Sequence, residues 1–122
     1  MGGRASVTRG KVFEREIASF FEESIGIPVR RSVLTTQMFS KVGNSDLVGA
    51  PGLAIECKRV EALNFRTALA QAQRNANRDE IAVVINRRDR EKTGDSVVAM
   101  RLEDFMRLYR AAMMYEDRIP RT

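Results

Sequence analysis

Two apolar segments joined by a Pro-Gly turn constrain the fold of this chain more than any other part of its sequence. They occupy residues 44–58, Asn-Ser-Asp-Leu-Val-Gly-Ala-Pro-Gly-Leu-Ala-Ile-Glu-Cys-Lys, with Pro51-Gly52 between them. Proline presets its own φ and glycine accepts a positive φ, which together suit a type II turn. The pattern therefore predicts a β-hairpin at this point in the chain.

The second strand of this hairpin carries charges that packing does not explain. A strand as apolar as Leu53-Ala54-Ile55 is expected to be buried, yet Glu56 and Lys58 follow at once. Side chains two apart on a strand project from the same face, roughly 6–7 Å apart, while the residue between them points the other way. The spacing predicts that Glu56 and Lys58 face one cleft and that Cys57 faces the core.

Asp46 supplies a second carboxylate to that cleft on one condition. The hairpin loop must hold an odd number of residues, because only then does residue 46 stand opposite residue 56 on the same face. Two carboxylates beside a lysine form a hard, oxygen-rich site of the kind that Mg²⁺ prefers, and such a metal can activate water for phosphodiester hydrolysis. The alternative is a hairpin-initiating aspartate followed by a solvated Glu-x-Lys strand face.

Asp46, followed after ten residues by Glu56-Cys57-Lys58, resembles the core motif of PD-(D/E)xK nucleases, with Ser45 in place of the leading proline. The resemblance implies a restriction-endonuclease-like α/β core, a mixed central β-sheet flanked by α-helices. It also implies Mg²⁺, with Mn²⁺ as a substitute, held by Asp46, Glu56 and the backbone carbonyl of Cys57. Lys58 would then position or polarise the attacking water.

An amphipathic helix is predicted from about Arg9 to Ser24, ending before Gly26, after a flexible basic arm at residues 1–8. Its apolar residues fall at i, i+4, i+7 and i+8, and they are Phe13, Ile17, Phe20 and Phe21. Glu14 lies at one flank of this stripe and Glu16 at the other, so the helical geometry alone does not choose between them as a third carboxylate.

The segment at residues 9–16 is similar in sequence to the opening helix of archaeal-type Holliday-junction resolvases. It reads Arg9-Gly10-Lys11-Val12-Phe13-Glu14-Arg15-Glu16. In that family the first glutamate of Glu-Arg-Glu joins the catalytic metal site, which implies Glu14 here. The resemblance further implies a four-way DNA junction as substrate, a homodimer that makes two symmetric cuts, and a phage or prokaryotic origin. A solvated glutamate near a helix start, favoured by the helix dipole, is the alternative.

Composition narrows the class of protein. The 122 residues are 43% hydrophobic, which predicts one domain over residues 1–122, and neither a membrane span nor a signal peptide is evident. We therefore expect a soluble protein of the cytoplasm, or of the host cytoplasm if the chain is viral. One cysteine excludes an internal disulfide, and the absence of histidine makes a zinc site improbable and excludes histidine acid/base catalysis.

The charge of the chain indicates a polyanionic partner. The formal net charge is +5, the isoelectric point is about 10.0, and 17 of the 21 basic residues are arginine. Arginine binds phosphate bidentately, although genome composition or thermal adaptation could produce the same bias. Candidate DNA contacts are the basic residues near the motifs and the polar residues that the resemblance suggests: Arg9, Lys11, Arg30, Arg31, Ser32, Arg59, Arg66 and Gln73.

Two of these candidates depend on the resemblance. The segment Val29-Arg30-Arg31-Ser32 resembles a Val-Arg-Ser motif that the family often carries, but it contains one additional residue. Many members of the superfamily also carry a glutamine on the helix that follows the Glu-x-Lys strand, for which Gln73 is the better candidate and Gln71 the alternative. Solvated helix surface is the default explanation for both glutamines.

Further elements follow from periodicity. The patterns predict a strand over 27–33, a helix capped by Asn64 and running to about Asn77, a doubly covered strand over 81–85, a strand over 96–101 and a helix from Leu102. The long connection over 34–43 carries Met38-Phe39, which could contact a junction or a second subunit, or fold onto the core. The apolar groups of 34–39 and 113–115 are both candidates for a dimer interface.

The sequence thus predicts a Mg²⁺-dependent, structure-selective endonuclease that resolves four-way junctions. One alternative is another nuclease with the same core, of the repair, nicking or restriction type, acting on linear or branched DNA. Another, from a different class, is a basic DNA-binding module that has the nuclease fold without catalysis. Comparing the cleavage of junctions with that of linear duplexes distinguishes the junction resolvase from another nuclease. Metal-dependent turnover distinguishes both nucleases from the DNA-binding module.

Overall fold

A five-stranded mixed sheet flanked by helices forms the body of the protein in the computed structural model, which describes residues 3–32 and 45–115. The strand order is β1-β2-β3-β4-β5; β3 and β4 run parallel and the other neighbours antiparallel. The elements are α1 (Gly3–Ile25), β1 (Arg30–Arg31), β2 (Leu47–Val48), β3 (Leu53–Lys58), α2 (Phe65–Asn75), β4 (Ile81–Asn86), a 3₁₀ turn (Thr93–Asp95), β5 (Val97–Ala99) and α3 (Leu102–Met114). The predicted α/β class and the mixed sheet between helices are confirmed.

The β2–β3 hairpin forms where the Pro-Gly pair predicts it. The N–H of Leu53 donates to the carbonyl of Ala50 at 3.1 Å, and Gly52 has a φ of +84°, the region that a type II turn requires. Gly49 also has a positive φ, and a Cβ there would lie 2.8 Å from the carbonyl oxygen of Pro28. The hairpin therefore needs glycine both for its turn and for its close contact with the chain before β1.

The sheet buries one apolar layer on each face. On the first face, α1 packs Phe13 and Ile17 against the odd-numbered residues of β4, including Val83. On the other face, α2 packs Ala68 and Ala72 against the even-numbered residues. All six residues of β4 are buried, as expected of a strand that is covered on both sides. The small side chains of α2 let its backbone approach the sheet closely.

Several boundaries differ from the predictions. Helix α1 begins at Gly3, so residues 3–8, predicted as a flexible arm, continue the helix; the sequence holds no proline there, and Gly10 lowers helix propensity without breaking the helix. The strand predicted over 27–33 is only two residues long in its described part. The 33–44 segment, with the predicted long loop, and residues 116–122 lie outside the described residues.

Helix α2 starts as predicted. The side chain of Asn64 accepts a hydrogen bond from the N–H of Thr67 at 3.1 Å, and the helix ends at Asn75, two residues before the predicted end. Helix α3 also starts at the predicted Leu102, but none of its residues is buried. None of the helices in the described ranges is long and apolar enough to cross a membrane.

Candidate active site

The register of the hairpin brings the two motif carboxylates together. Leu47 lies opposite Ile55, so the loop has an odd length and Asp46 comes to the part of β3 that carries Glu56, on which its charge acts. The N–H of Asp46 donates to the carbonyl of Ile55 at 2.9 Å, so the backbone of Asp46 departs by one residue from the regular register just before β2 begins. Lys58 follows on the same side of β3 as Glu56. The condition set by the sequence is met.

Asp46 is held by the backbone of the neighbouring strand. Its Oδ2 accepts a hydrogen bond from the N–H of Cys57 at 2.7 Å, and the Cys57 side chain points into the core beneath α1, as predicted. Burial raises the pKa of Asp46 to about 6, against the opposing effect of the Cys57 hydrogen bond, and the negative charge of Glu14 raises it further. The Cys57 hydrogen bond and the charges of Lys58 and Arg31 therefore compensate the ionised form of Asp46 only in part.

Glu56 is more deeply buried, with only 3% of its surface exposed. Its Oε2 accepts a hydrogen bond from Asn75 Nδ2 of α2 at 3.2 Å. Burial raises the pKa of Glu56 to about 7, the charge of Asp46 raises it further, and the Asn75 hydrogen bond and Lys58 act in the opposite direction. A buried carboxylate beside a second one is unusual in a protein interior and is typical of a functional site.

The structure distinguishes the two glutamates of α1. Glu14 Oε1 accepts a hydrogen bond from Arg31 Nε at 2.8 Å, and both side chains are largely buried. Its charge also acts on Asp46 and Glu56. Glu16 instead pairs with Arg87 at 3.0 Å. The third carboxylate of the cluster is therefore Glu14, and we call Glu14, Asp46 and Glu56 the carboxylate cluster.

A small basic cavity adjoins this cluster. It encloses about 220 Å³ between the start of α1 and the end of β3, and its lining residues are Arg9, Gly10, Cys57, Lys58, Arg59 and Val60. Three cationic side chains and a glycine that leaves the backbone accessible suit a phosphate group. Arg59 is also paired with Asp89 at 2.9 Å, which fixes its guanidinium at the cavity wall.

The other predicted DNA contacts are not gathered at the cluster. Lys11, Arg30, Arg66 and Gln73 are exposed. Ser32 is half-buried, and its N–H donates to the carbonyl of Asp46 at 2.9 Å, a backbone contact that extends the β1–β2 ladder. Arg31 is the strand-β1 residue that lies in the cluster, through its pair with Glu14.

Asn75 is the contact that the sequence analysis missed. The sequence predicts Gln73 as the α2 residue nearest the site, but the side chain that reaches Glu56 lies two residues later, at Asn75. A signal was present, because Asn75 falls at i+7 from Ala68 and i+3 from Ala72, inside the buried alanine stripe of α2. A polar residue inside such a stripe indicates a partner, and here the partner is a site carboxylate.

The donor chemistry of the cluster fits a hard divalent cation. Its ligand atoms would be carboxylate oxygens, whereas burial raises the pKa of the Cys57 thiol and keeps it protonated. Within 3–32 and 45–115, no three carboxylate, thiol or imidazole groups are gathered into a preformed metal site. Arg31 and Asn75 occupy positions beside Glu14 and Glu56, respectively, so a cation would exchange these protein contacts for its own.

Comparisons with known proteins returned no match to a family model, a curated protein or a solved structure.

Proposed function

We propose that this chain is a Mg²⁺-dependent, structure-selective DNA endonuclease with a PD-(D/E)xK-type, restriction-endonuclease-like core, which resolves four-way junctions as a homodimer by paired symmetric nicks. The observation that carries the proposal is the hairpin register. The odd loop brings Asp46 to the part of β3 where Glu56 and Lys58 project from one side, which supports the motif arrangement. Mn²⁺ would substitute for Mg²⁺, since both favour oxygen ligands.

The electrostatics of the cluster support a cation at this site. Burial raises the pKa of both Asp46 and Glu56, the charge of Glu14 raises both further, and the charge of Asp46 also raises that of Glu56, while the nearby Lys58 does not offset these effects. A divalent cation would stabilise both ionised forms together, and Glu14 is close enough to act on the same charge balance. When bound, the metal would supply Lewis-acid stabilisation of the phosphodiester transition state and a more acidic water.

Different residues of the chain would bind the cation and position the attacking water. Asp46 and Glu56 would hold the cation, with Glu14 as a further oxygen donor once Arg31 turns to another anion, and the Cys57 carbonyl is a candidate fourth donor. Lys58 would orient the attacking water and offset developing charge on the phosphate. Attack at phosphorus breaks the bond to the 3′ oxygen, which takes up a proton, leaving 5′-phosphate and 3′-hydroxyl ends.

The basic cavity supports a nucleic-acid substrate. Arg9, Lys58 and Arg59 line it directly beside the strand that carries Glu56, so a phosphate bound there would lie on the same DNA backbone as the scissile group. The net charge of +5 adds a favourable long-range field toward DNA. Two such sites are needed to cut a four-way junction symmetrically, which is the reason for proposing a homodimer.

One observation favours a second candidate, a DNA-binding module without catalysis. Arg31 and Asn75 already satisfy Glu14 and Glu56, so the cluster could be a structural network of hydrogen bonds and ion pairs. A structural network needs no divalent cation. The two candidates therefore differ in whether the intact protein requires Mg²⁺ for any activity.

Cleavage of a labelled four-way junction beside a linear duplex of the same arms tests the proposal. The assay compares Mg²⁺ with EDTA, and the wild type with Asp46→Asn and with the exposed control Asp79→Asn. We expect paired nicks on the junction only, with Mg²⁺ only, lost in Asp46→Asn and kept in Asp79→Asn. Cutting of both substrates would retain the nuclease and reject junction selectivity. Binding of both without cutting would establish the binding module instead.

A further inference from the structure

Helix α3 is an amphipathic helix whose apolar stripe has no cover among the described residues. The stripe runs along one side of the helix at i, i+3, i+4, i+7 and i+11, and its residues are Leu102, Phe105, Met106, Tyr109 and Met113. All five are exposed, from 40% for Met113 to 74% for Leu102. The rings of Phe105 and Tyr109 stack on each other with centroids 6.1 Å apart, which gives the stripe a preformed aromatic centre.

The strand before this helix also leaves apolar residues exposed. Strand β5 is at the edge of the sheet and pairs only with β4 within the described ranges. Its Val97 and Val98 are each about half exposed, on opposite faces of the strand. Edge strands of soluble proteins are usually protected by charge, proline or a covering element, and Val97-Val98-Ala99 carries no such charge or proline. Exposed apolar residues on neighbouring elements are typical of a protein interface.

The charges along α3 indicate that a second copy of the same helix fits this surface. Glu103 and Arg110 are seven residues apart, so they lie on the same flank of the stripe at opposite ends of the helix. A two-fold axis perpendicular to two antiparallel helices brings the same flank of each copy together. Glu103 of one copy, which pairs with Arg101 of its own chain at 2.9 Å, then also meets Arg110 of the other, twice, and the two helix dipoles oppose each other.

From this pattern we infer that α3 is the homodimer interface, with two copies of α3 packed antiparallel across a two-fold axis near Met106 and Arg107. The axis position follows from the same pairing, since the midpoint of Glu103 and Arg110 falls there. It also places Phe105 of each copy beside Tyr109 of the other, at the centre of the interface where aromatic residues contribute most to binding. Of the two surfaces that the sequence suggested, residues 34–39 and 113–115, this interface shares only Met113 with the second.

The inference rests on the fold and charge pattern, and only its consequence for symmetric cutting rests on the proposed function. A monomeric mass would therefore reject the interface and leave the nuclease assay unaffected. Loss of cleavage in a protein that still dimerises would reject the nuclease and leave the interface intact.

The first experiment measures the mass of the full chain by sedimentation equilibrium. We expect twice the 13.8 kDa of one chain for the wild type, and one chain for Tyr109→Glu, whose charge enters the aromatic centre. No residue of α3 is buried, so the variant should keep its fold, which circular dichroism checks. The matched control is Val7→Glu, at an exposed position of α1, which should remain dimeric.

The second experiment tests the antiparallel geometry by disulfide cross-linking under mild oxidation. The native Cys57 is buried, so it gives little background. Met106→Cys lies beside the two-fold axis and should cross-link to its own copy, because the two Cα atoms meet within the ~7 Å that a disulfide spans. Met114→Cys should not, because antiparallel helices place its two copies roughly 22 Å apart at 1.5 Å per residue.

Each remaining outcome overturns the inference. Cross-linking of both cysteine variants would indicate parallel helices and reject the antiparallel pair. A monomeric wild type, or a dimer that survives Tyr109→Glu, would show that the α3 stripe is covered by residues of its own chain or by another partner.

A third experiment tests the charge pairing. A double variant, Glu103→Arg with Arg110→Glu, should dimerise with itself, while either single change should weaken the dimer at least several-fold.

Discussion

Glu56 is an ionisable residue that is almost completely buried, whereas Leu102 on α3 is an apolar residue that is about three-quarters exposed. These two regions depart from the usual distribution in opposite directions, since proteins bury hydrocarbon and hydrate charge. Ionising the buried carboxylates costs free energy that a cation would return. Exposing the apolar stripe costs free energy that a second copy would return. Each departure therefore indicates what the region binds.

Helices α2 and α3 show the same contrast at the level of packing. Helix α2 presents alanines to the sheet and buries Ala68 and Ala72, while α3 carries larger apolar side chains and buries none. A helix that served the stability of the isolated domain would show the pattern of α2. The larger, more aromatic stripe of α3 has the composition of interface residues instead.

Replacing Glu56 by Gln should have the largest effect, on the carboxylate side of the comparison. We expect cleavage of the four-way junction to fall by roughly 10³-fold or more, because one cation ligand and its charge are lost, as with removal of other transition-state stabilising groups. Single-turnover kinetics with Mg²⁺ measure the loss. Dimer mass should not change, and a variant with near wild-type cleavage would show that Glu56 has no part in the chemistry.

Lys58→Met should lower the cleavage rate by roughly 10²-fold, the usual effect of removing one group that positions water or offsets charge. The concentration of Mg²⁺ at half-maximal rate should change much less, since Lys58 is not a cation ligand. A titration of the rate with Mg²⁺ separates these two quantities. Lys58→Arg, which keeps the charge but not the point geometry, should recover part of the rate.

The carboxylate cluster should also make the free energy of unfolding depend on pH. Glu56 has a pKa of about 7 in the folded protein and an ordinary value of 4.5, so the folded state holds the proton more tightly. Its contribution to stability is complete below about pH 4.5 and is lost as pH rises through about 7, by on the order of 2–3 kcal/mol. Asp46, with a pKa of about 6, adds to the same trend.

Denaturant unfolding in EDTA at pH 5 and pH 8 measures this pH dependence. Glu56→Gln should remove much of the difference and be more stable than the wild type at pH 8, because Gln still accepts a hydrogen bond from Asn75 without ionising. The exposed Glu22→Gln serves as control. Equal stability of the wild type at both pH values would show that the cluster is already compensated within the protein.

The two neighbouring arginines of β1 offer a matched pair. Arg31→Gln removes the partner of Glu14 and should cost about 1 kcal/mol of stability without metal, whereas Arg30→Gln, on an exposed residue, should cost close to nothing. Mg²⁺ should recover more stability in Arg31→Gln than in the wild type, because the cluster has lost its internal cation. Identical Mg²⁺ responses would mean that Arg31 and a cation do not share a site.

The smallest effect is expected on the α3 side. Leu102→Ala removes an exposed side chain, so it should change the stability of the monomer by less than about 0.5 kcal/mol. Unfolding at a protein concentration below that of dimer formation measures this. Ala72→Leu on α2 is the contrasting variant and should cost about 1–3 kcal/mol, because the helix packs there without spare volume. A large loss in Leu102→Ala would show that α3 packs within its own chain.

Much of this arrangement follows from the sequence alone. The alternation and turn residues of 44–58 determine the hairpin, the side-chain oxygen of Asn64 determines the start of α2, and the β-branched run at 81–85 determines a doubly covered strand. These features are local, and each depends on residues within a few positions. The charge of Glu56 in an apolar strand was likewise visible as an exception before its surroundings were known.

The tertiary structure decided what the local patterns left open. Only the observed register fixed the loop as odd and brought Asp46 near Glu56, because register depends on strands meeting in space. Only packing separated Glu14 from Glu16, which flank one stripe but contact Arg31 and Arg87 on different elements. The exposure of α3 could not be predicted from the sequence either. An amphipathic stripe indicates that a helix packs against a partner, but it does not indicate whether that partner is the sheet of its own chain or a second chain.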